Sequence, residues 1–152
     1  MKFVSFLTVS GEERVGLSVD GATIDLAQSA SAVGMNIPST MSGLLGQWSQ
    51  SVRVARQVES EFRQNKVRAT VTGAHPLAPV PHPTSCRDGY AFRQHVATAR
   101  RNRGVEMIPE FDQYPVFYFT NHNSICGEGD VVVETDHLQK LDFELEKGSS
   151  PM

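Results

Sequence analysis

Four prolines within eight residues constrain this chain of 152 residues more than any other feature. A proline ring fixes φ at about −65° and leaves no backbone amide hydrogen, so neither a helix nor a central strand continues through such a segment. The segment is therefore predicted to be a stiff, extended linker between two modules. The four prolines are Pro76, Pro79, Pro81 and Pro83.

The linker sets the predicted domain boundaries. A chain of this length holds one domain, or one small domain and a piece of another. Residues 1–75 are predicted to form an N-terminal α+β module, residues 76–86 the linker, residues 87–146 the start of a second domain and residues 147–152 a hydrophilic tail.

The N-terminal part reads as a small packing module. Lys2–Leu7 and Arg14–Val19 are apolar runs that predict strands, and Asp20-Gly21 supplies the turn of a hairpin. Apolar residues then recur at helical spacing, and no segment concentrates reactive side chains. The predicted helices are Asp25–Ala32 with Asp25 as its cap, one that opens at Pro38-Ser39-Thr40, and Ser51–Asn65.

Composition excludes several functional classes. A net charge of −3 and a pI near 5.9 argue against a nucleic-acid-binding protein, because phosphate binding usually requires a basic surplus. The apolar runs fall well short of the roughly 18 residues that span a bilayer, so no membrane association is expected. Two cysteines, Cys86 and Cys126, suit a reducing compartment, which predicts a cytoplasmic protein.

An acidic strand candidate stands near the end of the chain at Asp142-Phe143-Glu144-Leu145-Glu146. Side chains alternate between the two faces of a strand, so the three carboxylates are predicted to share one face. Like charges on one face repel each other unless a cation lies between them, and carboxylate oxygens are the ligands that hard divalent ions prefer. The pattern therefore indicates a metal site.

A second constellation lies at Asp88–His95, in a stretch rich in helix formers. A helix that began at Asp88 would place Asp88 and His95 on one face, about 10 Å apart along the axis. His95 would then be too far from Asp88 to share an ion, but it could act as a general base. The residues alone leave alternatives open: Asp88 as a helix N-cap, and His95 as a surface histidine or a hydrogen-bonded core histidine.

Together these residues resemble the fumarylacetoacetate hydrolase family. Asp88–His95 closely resembles its Asp-x-Tyr motif followed by Arg-Gln-His, and Asp142–Glu146 resembles its paired-glutamate metal motif. The strand candidate Tyr114–Phe119 and the glycine turn at residues 127–130 stand in the order that the family shows. The resemblance covers nearly all of residues 1–146.

The resemblance implies a fold and a site. The implied fold is an α+β protein in which the small N-terminal module is followed by the first part of a mixed β-roll or barrel, incomplete at the C-terminus. The implied ion is Mg²⁺, Mn²⁺ or Ca²⁺, with Asp88, Glu144 and Glu146 as ligands beside a further aspartate that this sequence does not identify. His95 is the implied base, and Tyr90 the implied substrate contact. Asp142 is expected to support the site or merely to begin the strand.

The implied reaction is hydrolysis of a carbon–carbon bond in a β-diketo acid of the fumarylacetoacetate or acylpyruvate type, in aromatic amino acid catabolism, by a homodimer. The ion would stabilise the leaving enolate, and His95 would activate water. Arg100, Arg101 and Arg103 either face a substrate carboxylate or form a solvated helix end, which the helix dipole favours.

The tail departs from the family pattern. Where the family continues with an apolar strand and a long catalytic body, this chain has Lys147-Gly148-Ser149-Ser150-Pro151-Met152, which is not expected to extend a buried strand. The sequence therefore predicts a truncated member, with weak metal binding and no turnover. The alternatives are a non-catalytic folding or dimerisation module, and decarboxylase or isomerase chemistry with the same ion.

Overall fold

The structure, a computed structural model, shows an α+β chain, as the sequence predicts, and the strands of its described sheets pair antiparallel. It divides into two compact units. Neither contains, in the part of the chain that the structure describes, a helix long and apolar enough to cross a bilayer. The structure describes residues 1–141 and 147–149; the first unit comprises 1–82 and 125–129, and the second comprises 83–124, 130–141 and 147–149.

The first unit is built on an antiparallel sheet with the strand order β3-β2-β1-β4. The predicted hairpin is confirmed, because Val19 pairs with Ala22 across the Asp20-Gly21 turn. Both turn residues have positive φ, of 50° and 82°, which is the backbone of the two-residue turn that matches strand twist. The strands are β1 (Lys2–Leu7), β2 (Glu13–Val19), β3 (Ala22–Asp25) and β4 (His75–Pro76).

The predicted helices of the first unit are present with small shifts at their ends. They are α1 (Leu26–Ala32), α2 (Met41–Gly46) and α3 (Trp48–Arg63). Asp25 caps α1, since its Oδ1 accepts the amide hydrogen of Gln28 at 2.9 Å. Thr40 caps α2 in the same way, through the amide of Gly43 at 3.3 Å.

The core of the first unit lies between the sheet and these helices. Alternate residues of β2 face it, and the fully buried side chains include Val15, Leu17, Ile24, Leu44 and Val58. Each such aliphatic side chain contributes about 1.5–3 kcal/mol on burial. No reactive cluster interrupts this core, in agreement with a packing role.

The proline-rich segment is anchored to the first unit at its start. The amide of Leu77 donates to the carbonyl of Ser5 at 2.9 Å, and the Ser5 hydroxyl donates to the carbonyl of Pro79 at 2.9 Å. Gly127 also approaches this segment so closely that an added Cβ would lie 2.7 Å from the Leu77 carbonyl carbon. Pro76 is tolerated because β4 is an edge strand.

The second unit contains a three-stranded antiparallel sheet within its described residues, in the order β6-β5-β7. Two helices and two 3₁₀ turns accompany it. The elements are β5 (Cys86–Gly89), α4 (Arg93–Asn102), α5 (Glu110–Gln113), β6 (Phe117–Thr120), β7 (Lys147–Ser149) and the 3₁₀ turns His122–Ser124 and Thr135–Lys140.

The prediction of a helix from Asp88 is wrong. Asp88 lies in β5, where it pairs with Tyr118, and α4 begins only at Arg93. Glycine has low helix propensity, and Gly89 stands where the helix would have had to start. Phe92 is the N-cap residue of α4, so the alternative role of Asp88 as a helix cap is also excluded.

The strands at the C-terminal side also differ from the predicted ones. The strand expected at Tyr114–Phe119 begins later, at Phe117, because the proline at position 115 has no amide hydrogen for the ladder. The tail, which is not expected to extend a buried strand, forms β7, in which Lys147–Ser149 pairs with Arg87–Gly89. An antiparallel ladder joins backbone groups, which polar residues also supply. The predicted strand at Leu141–Glu146 lies, from residue 142 on, outside the described residues.

Candidate functional site

Asp88, Tyr90 and His95 come together in one cleft of the second unit, as the resemblance implied. The cleft has a volume of about 550 Å³ and also includes Arg100 and Arg103. We call it the Asp88 cleft. It holds a carboxylate, a phenol, an imidazole and two guanidinium groups, which are groups that acid–base and anion-binding sites use.

A tight turn after β5 produces this arrangement. The amide of Ala91 donates to the carbonyl of Gly89 at 2.6 Å, and α4 begins two residues further on. His95, Ala99 and Arg103 follow each other at intervals of four and therefore occupy one face of α4, the face that lines the cleft. Strand, turn and helix thus bring His95 to the same cleft as Asp88.

Asp88 has an unsatisfied oxygen in this cleft. Its Oδ1 is buried and has no hydrogen-bond partner among the described residues. A buried carboxylate oxygen without a donor or cation is costly, and the great majority of buried polar atoms in proteins have a partner. Asp88 Oδ1 is therefore the atom in the described part of the site that best fits a cation.

Tyr90 is held between two other rings. Its ring meets the His95 ring edge to face at a centroid distance of 6.3 Å and the Phe111 ring at 6.2 Å. Edge-to-face contacts of this kind place the positive edge of one ring against the negative face of the other. Tyr90 thereby links α4 to α5 and fixes one wall of the Asp88 cleft.

An ion pair joins the starts of α4 and α5. Arg93 donates from Nε to Asp112 Oδ1 at 2.9 Å and from Nη2 to Oδ2 at 3.1 Å. These hydrogen bonds raise the pKa of Arg93 and lower the pKa of Asp112 from its usual value. The pair holds α5, and with it Phe111, beside Tyr90.

Acidification is expected to weaken the Arg93–Asp112 ion pair and, with it, the contact between the Tyr90 and Phe111 rings. Because the folded pKa of Asp112 is lowered, the pair stabilises the fold above the ordinary carboxyl pKa and is lost as the pH falls through the lowered value, below about pH 4. Arg93 stays charged throughout. NMR contacts between the Tyr90 and Phe111 rings should therefore weaken on titration from neutral pH to pH 3. In Asp112→Asn they should be modestly weaker than in the parent already at neutral pH, because both side chains of the pair are more than half exposed; an unchanged contact there would contradict this role of the pair.

The three arginines near the end of α4 separate into two groups. Arg100 and Arg103 line the Asp88 cleft, and Arg100 Nε donates to the carbonyl of Glu106. Arg101 does not line it; its Nη2 donates to Thr98 Oγ1 at 3.3 Å. Two of the three candidate anion contacts thus border the cleft that contains His95.

The remaining implied metal ligands cannot be placed. Glu144 and Glu146, with Asp142, lie outside the described residues. Within residues 1–141 and 147–149, no three His, Cys, Asp or Glu side chains come together as a group that could hold a metal ion. Of the implied ligands, the described residues include Asp88 alone.

Some residues of the site gave no signal in the sequence. Phe111 and Asp112 lie in a short stretch between prolines with no recognisable motif, and the Arg93–Asp112 pair spans 19 residues without a periodic pattern. A bidentate pair between two helices follows from the tertiary fold. The one hint of an ion pair in the sequence is that basic residues precede Gly104 and acidic residues follow it.

Comparisons with known proteins do not assign this site. No protein-family model matches the chain, and no curated protein matches it. The functional assignment therefore rests on the site residues and on the motifs quoted above.

Proposed function

We propose that the Asp88 cleft is the site of a divalent-cation-dependent hydrolase that cleaves a carbon–carbon bond in a β-diketo acid of the acylpyruvate or fumarylacetoacetate type. The observation that supports this most is the buried Oδ1 of Asp88, which has no hydrogen-bond partner among the described residues, in a side chain that lines the same cleft as His95. A cation site beside a general base is what hydrolysis of such a substrate requires.

The proposed ligands are Asp88, Glu144 and Glu146, for Mg²⁺, Mn²⁺ or Ca²⁺. Hard cations take oxygen ligands, and a buried carboxylate oxygen that no donor among the described residues satisfies suits them. When bound, the ion would polarise the keto and enolate oxygens of the substrate and stabilise the negative charge that develops on the leaving group.

His95 is the proposed base. Its imidazole takes a proton from water, and the water oxygen adds to the acyl carbonyl carbon. The bond from that carbon to the neighbouring methylene then breaks, so that the acyl group leaves as a carboxylic acid and the bonding electron pair remains on the enolate. Return of the proton to the enolate carbon completes the balance.

Tyr90, Arg100 and Arg103 are the proposed substrate contacts. The Tyr90 ring is fixed by two aromatic neighbours, so its position costs little further ordering when a substrate binds. Arg100 and Arg103 border the same cleft and carry N–H donors that match a carboxylate. They are proposed to bind the acid group of the β-diketo acid.

The fold type of the second unit is part of the same proposal. The antiparallel β6-β5-β7 sheet fits the first part of a β-roll or barrel of the fumarylacetoacetate hydrolase type. Membership of that family, a cytoplasmic location, a homodimer and a role in aromatic amino acid catabolism are proposed with it.

Cation binding by the chain tests the ligand assignment. Mn²⁺, a paramagnetic probe, should broaden the NMR signals of Tyr90 and His95 with a dissociation constant in the millimolar range. Asp88→Asn should remove this broadening, because it removes the charge and one oxygen of the proposed ligand. The matched control is Asp130→Asn, which changes an exposed carboxylate of the second unit and should leave it intact. Unchanged broadening in Asp88→Asn would sink the metal assignment.

A non-catalytic binding or dimerisation module is the second candidate. It is favoured by β6, whose side chains are unusually exposed for aromatic residues: Phe117 is 43% exposed, Tyr118 69% and Phe119 63%. Exposed aromatic edge strands commonly pair with another chain. Analytical sedimentation would favour this candidate if the chain self-associates as its concentration rises and Tyr118→Lys reduces that association. The chain should then also show no cation-dependent turnover. Decarboxylase or isomerase chemistry would differ from the hydrolase in its products.

A further inference from the structure

A second cleft of the second unit is lined mainly by aromatic rings. It has a volume of about 450 Å³, within the range of small-molecule sites. We call it the aromatic cleft; the residues that define it are Arg87, Tyr90, Phe111, Tyr114 and Phe117. No Asp or Glu side chain is among the described residues that line it.

Arg87 is the cation of this cleft. Its guanidinium carbon lies 4.9 Å from the centroid of the Phe119 ring and 5.5 Å from that of Phe117, and its Nη1 donates to Ser85 Oγ at 3.2 Å. Among the described residues no carboxylate lies within ion-pair distance of it. A guanidinium has five N–H donors, and within residues 1–141 and 147–149 only the bond to Ser85 uses one of them.

Strand geometry separates the two clefts chemically. Arg87 and Asp88 are consecutive in β5, so their side chains leave opposite faces of the sheet. The cation therefore serves the aromatic cleft and the carboxylate serves the Asp88 cleft. Tyr90 borders both clefts.

The aromatic walls select a flat, apolar partner. Tyr90 and Phe111 already meet edge to face at 6.2 Å, and Tyr114, which is 64% exposed, leaves its ring uncovered. Aromatic rings prefer offset-stacked or edge-to-face neighbours, an arrangement that a planar ring satisfies better than a puckered one.

We propose that the aromatic cleft binds a small planar aromatic carboxylate, with its ring against Phe111 and Tyr114 and its carboxylate on Arg87. Charge complementarity identifies the anionic group, since the described lining of the cleft presents one stacked guanidinium and no carboxylate. The proposal is independent of the hydrolase assignment, because neither Asp88 nor His95 lines this cleft.

Benzoate is the probe for this site. Titration of the chain, followed by NMR, should shift the signals of Arg87, Phe111 and Tyr114 saturably, with a dissociation constant on the order of 1 mM for so small a ligand. Benzamide lacks the charge and cyclohexanecarboxylate lacks the planar ring, so both should bind more weakly. Absence of saturable shifts, or equal binding of all three compounds, would overturn the proposal.

Two substitutions test the assigned residues. Arg87→Met should weaken benzoate binding about tenfold or more, the usual effect of losing one charge-assisted contact. Arg101→Met, which removes the same charge outside the cleft, should not change it. Tyr114→Ser changes an exposed ring, provides a second test if Arg87→Met fails to fold, and should also weaken binding. Unchanged affinity in Tyr114→Ser and in a folded Arg87→Met, or shifts confined to β6 as a second copy docks there, would contradict the assignment.

Discussion

Substituting alanine for His95 is expected to reduce cation-dependent hydrolysis of an acylpyruvate by about 10²–10⁴-fold, the usual contribution of a general base. The measurement uses a fusion of residues 1–146 to the catalytic body of a fumarylacetoacetate hydrolase, the family proposed for this chain, with Mg²⁺ present. His95 lines the Asp88 cleft and lies edge-on to Tyr90, so its loss removes the proposed proton acceptor and leaves the rest of the cleft in place.

The matched control is His137→Ala. His137 belongs to the second unit and is exposed, and it does not line the Asp88 cleft, so its removal should leave the rate unchanged. Glu144→Ala tests the paired-glutamate motif in the same assay and should also abolish turnover. Full activity in both His95→Ala and Glu144→Ala would refute the proposed site, whereas loss in His137→Ala as well would indicate a general effect on folding.

The first unit was predictable because its signals are local. Asp20-Gly21 specifies a hairpin turn by the backbone conformation it tolerates, and Asp25 specifies the start of α1 by the amide it accepts. Each of these signals acts within three or four residues, so the surrounding tertiary structure has little to override. The same holds for Thr40 and α2.

The second unit was less predictable because its signals are non-local. Asp88 precedes a run of helix formers, but its backbone pairs with Tyr118 and Gly148, which the sequence does not connect to it. Sheet formation depends on the partner strand, and no property of Cys86–Gly89 alone reveals that partner. The polar β7 gave no apolar alternation to detect, so it was not predicted, for the same reason.

The sequence predicted which residues line the candidate site but not how the fold arranges them. The motif named Asp88, Tyr90 and His95 together, and the structure brings them to one cleft by a strand, a turn and a helix. The support from Arg93 and Asp112, and the placement of Arg87 on the opposite face of β5, required the tertiary structure. The proposed base, His95, could be identified from the sequence motif, whereas the side chains that support the cleft could not.

The largest expected effect on stability is that of Asp25→Asn. Asp25 is 3% exposed and accepts two hydrogen bonds from Arg14, at 3.0 and 3.1 Å, besides capping α1. Asparagine caps helices about as well as aspartate, so this substitution keeps the cap and removes the charge opposite Arg14. The free energy of unfolding should fall by about 1.5–3 kcal/mol, because the part-buried Arg14 guanidinium loses the charged partner of its two hydrogen bonds.

Denaturant unfolding followed by fluorescence measures this loss. The chain has a single tryptophan, Trp48, which belongs to the first unit and whose ring meets Phe3 at 5.7 Å, so it reports on the unit that contains Asp25. Asp20→Asn is the matched control, since the Asp20–Arg63 pair is exposed, with side chains 66% and 49% accessible. Exposed pairs contribute at most about 1 kcal/mol, so this control should unfold nearly as the parent does. Equal effects of the two substitutions would mean that the buried Arg14–Asp25 pair stabilises the fold no more than a surface pair.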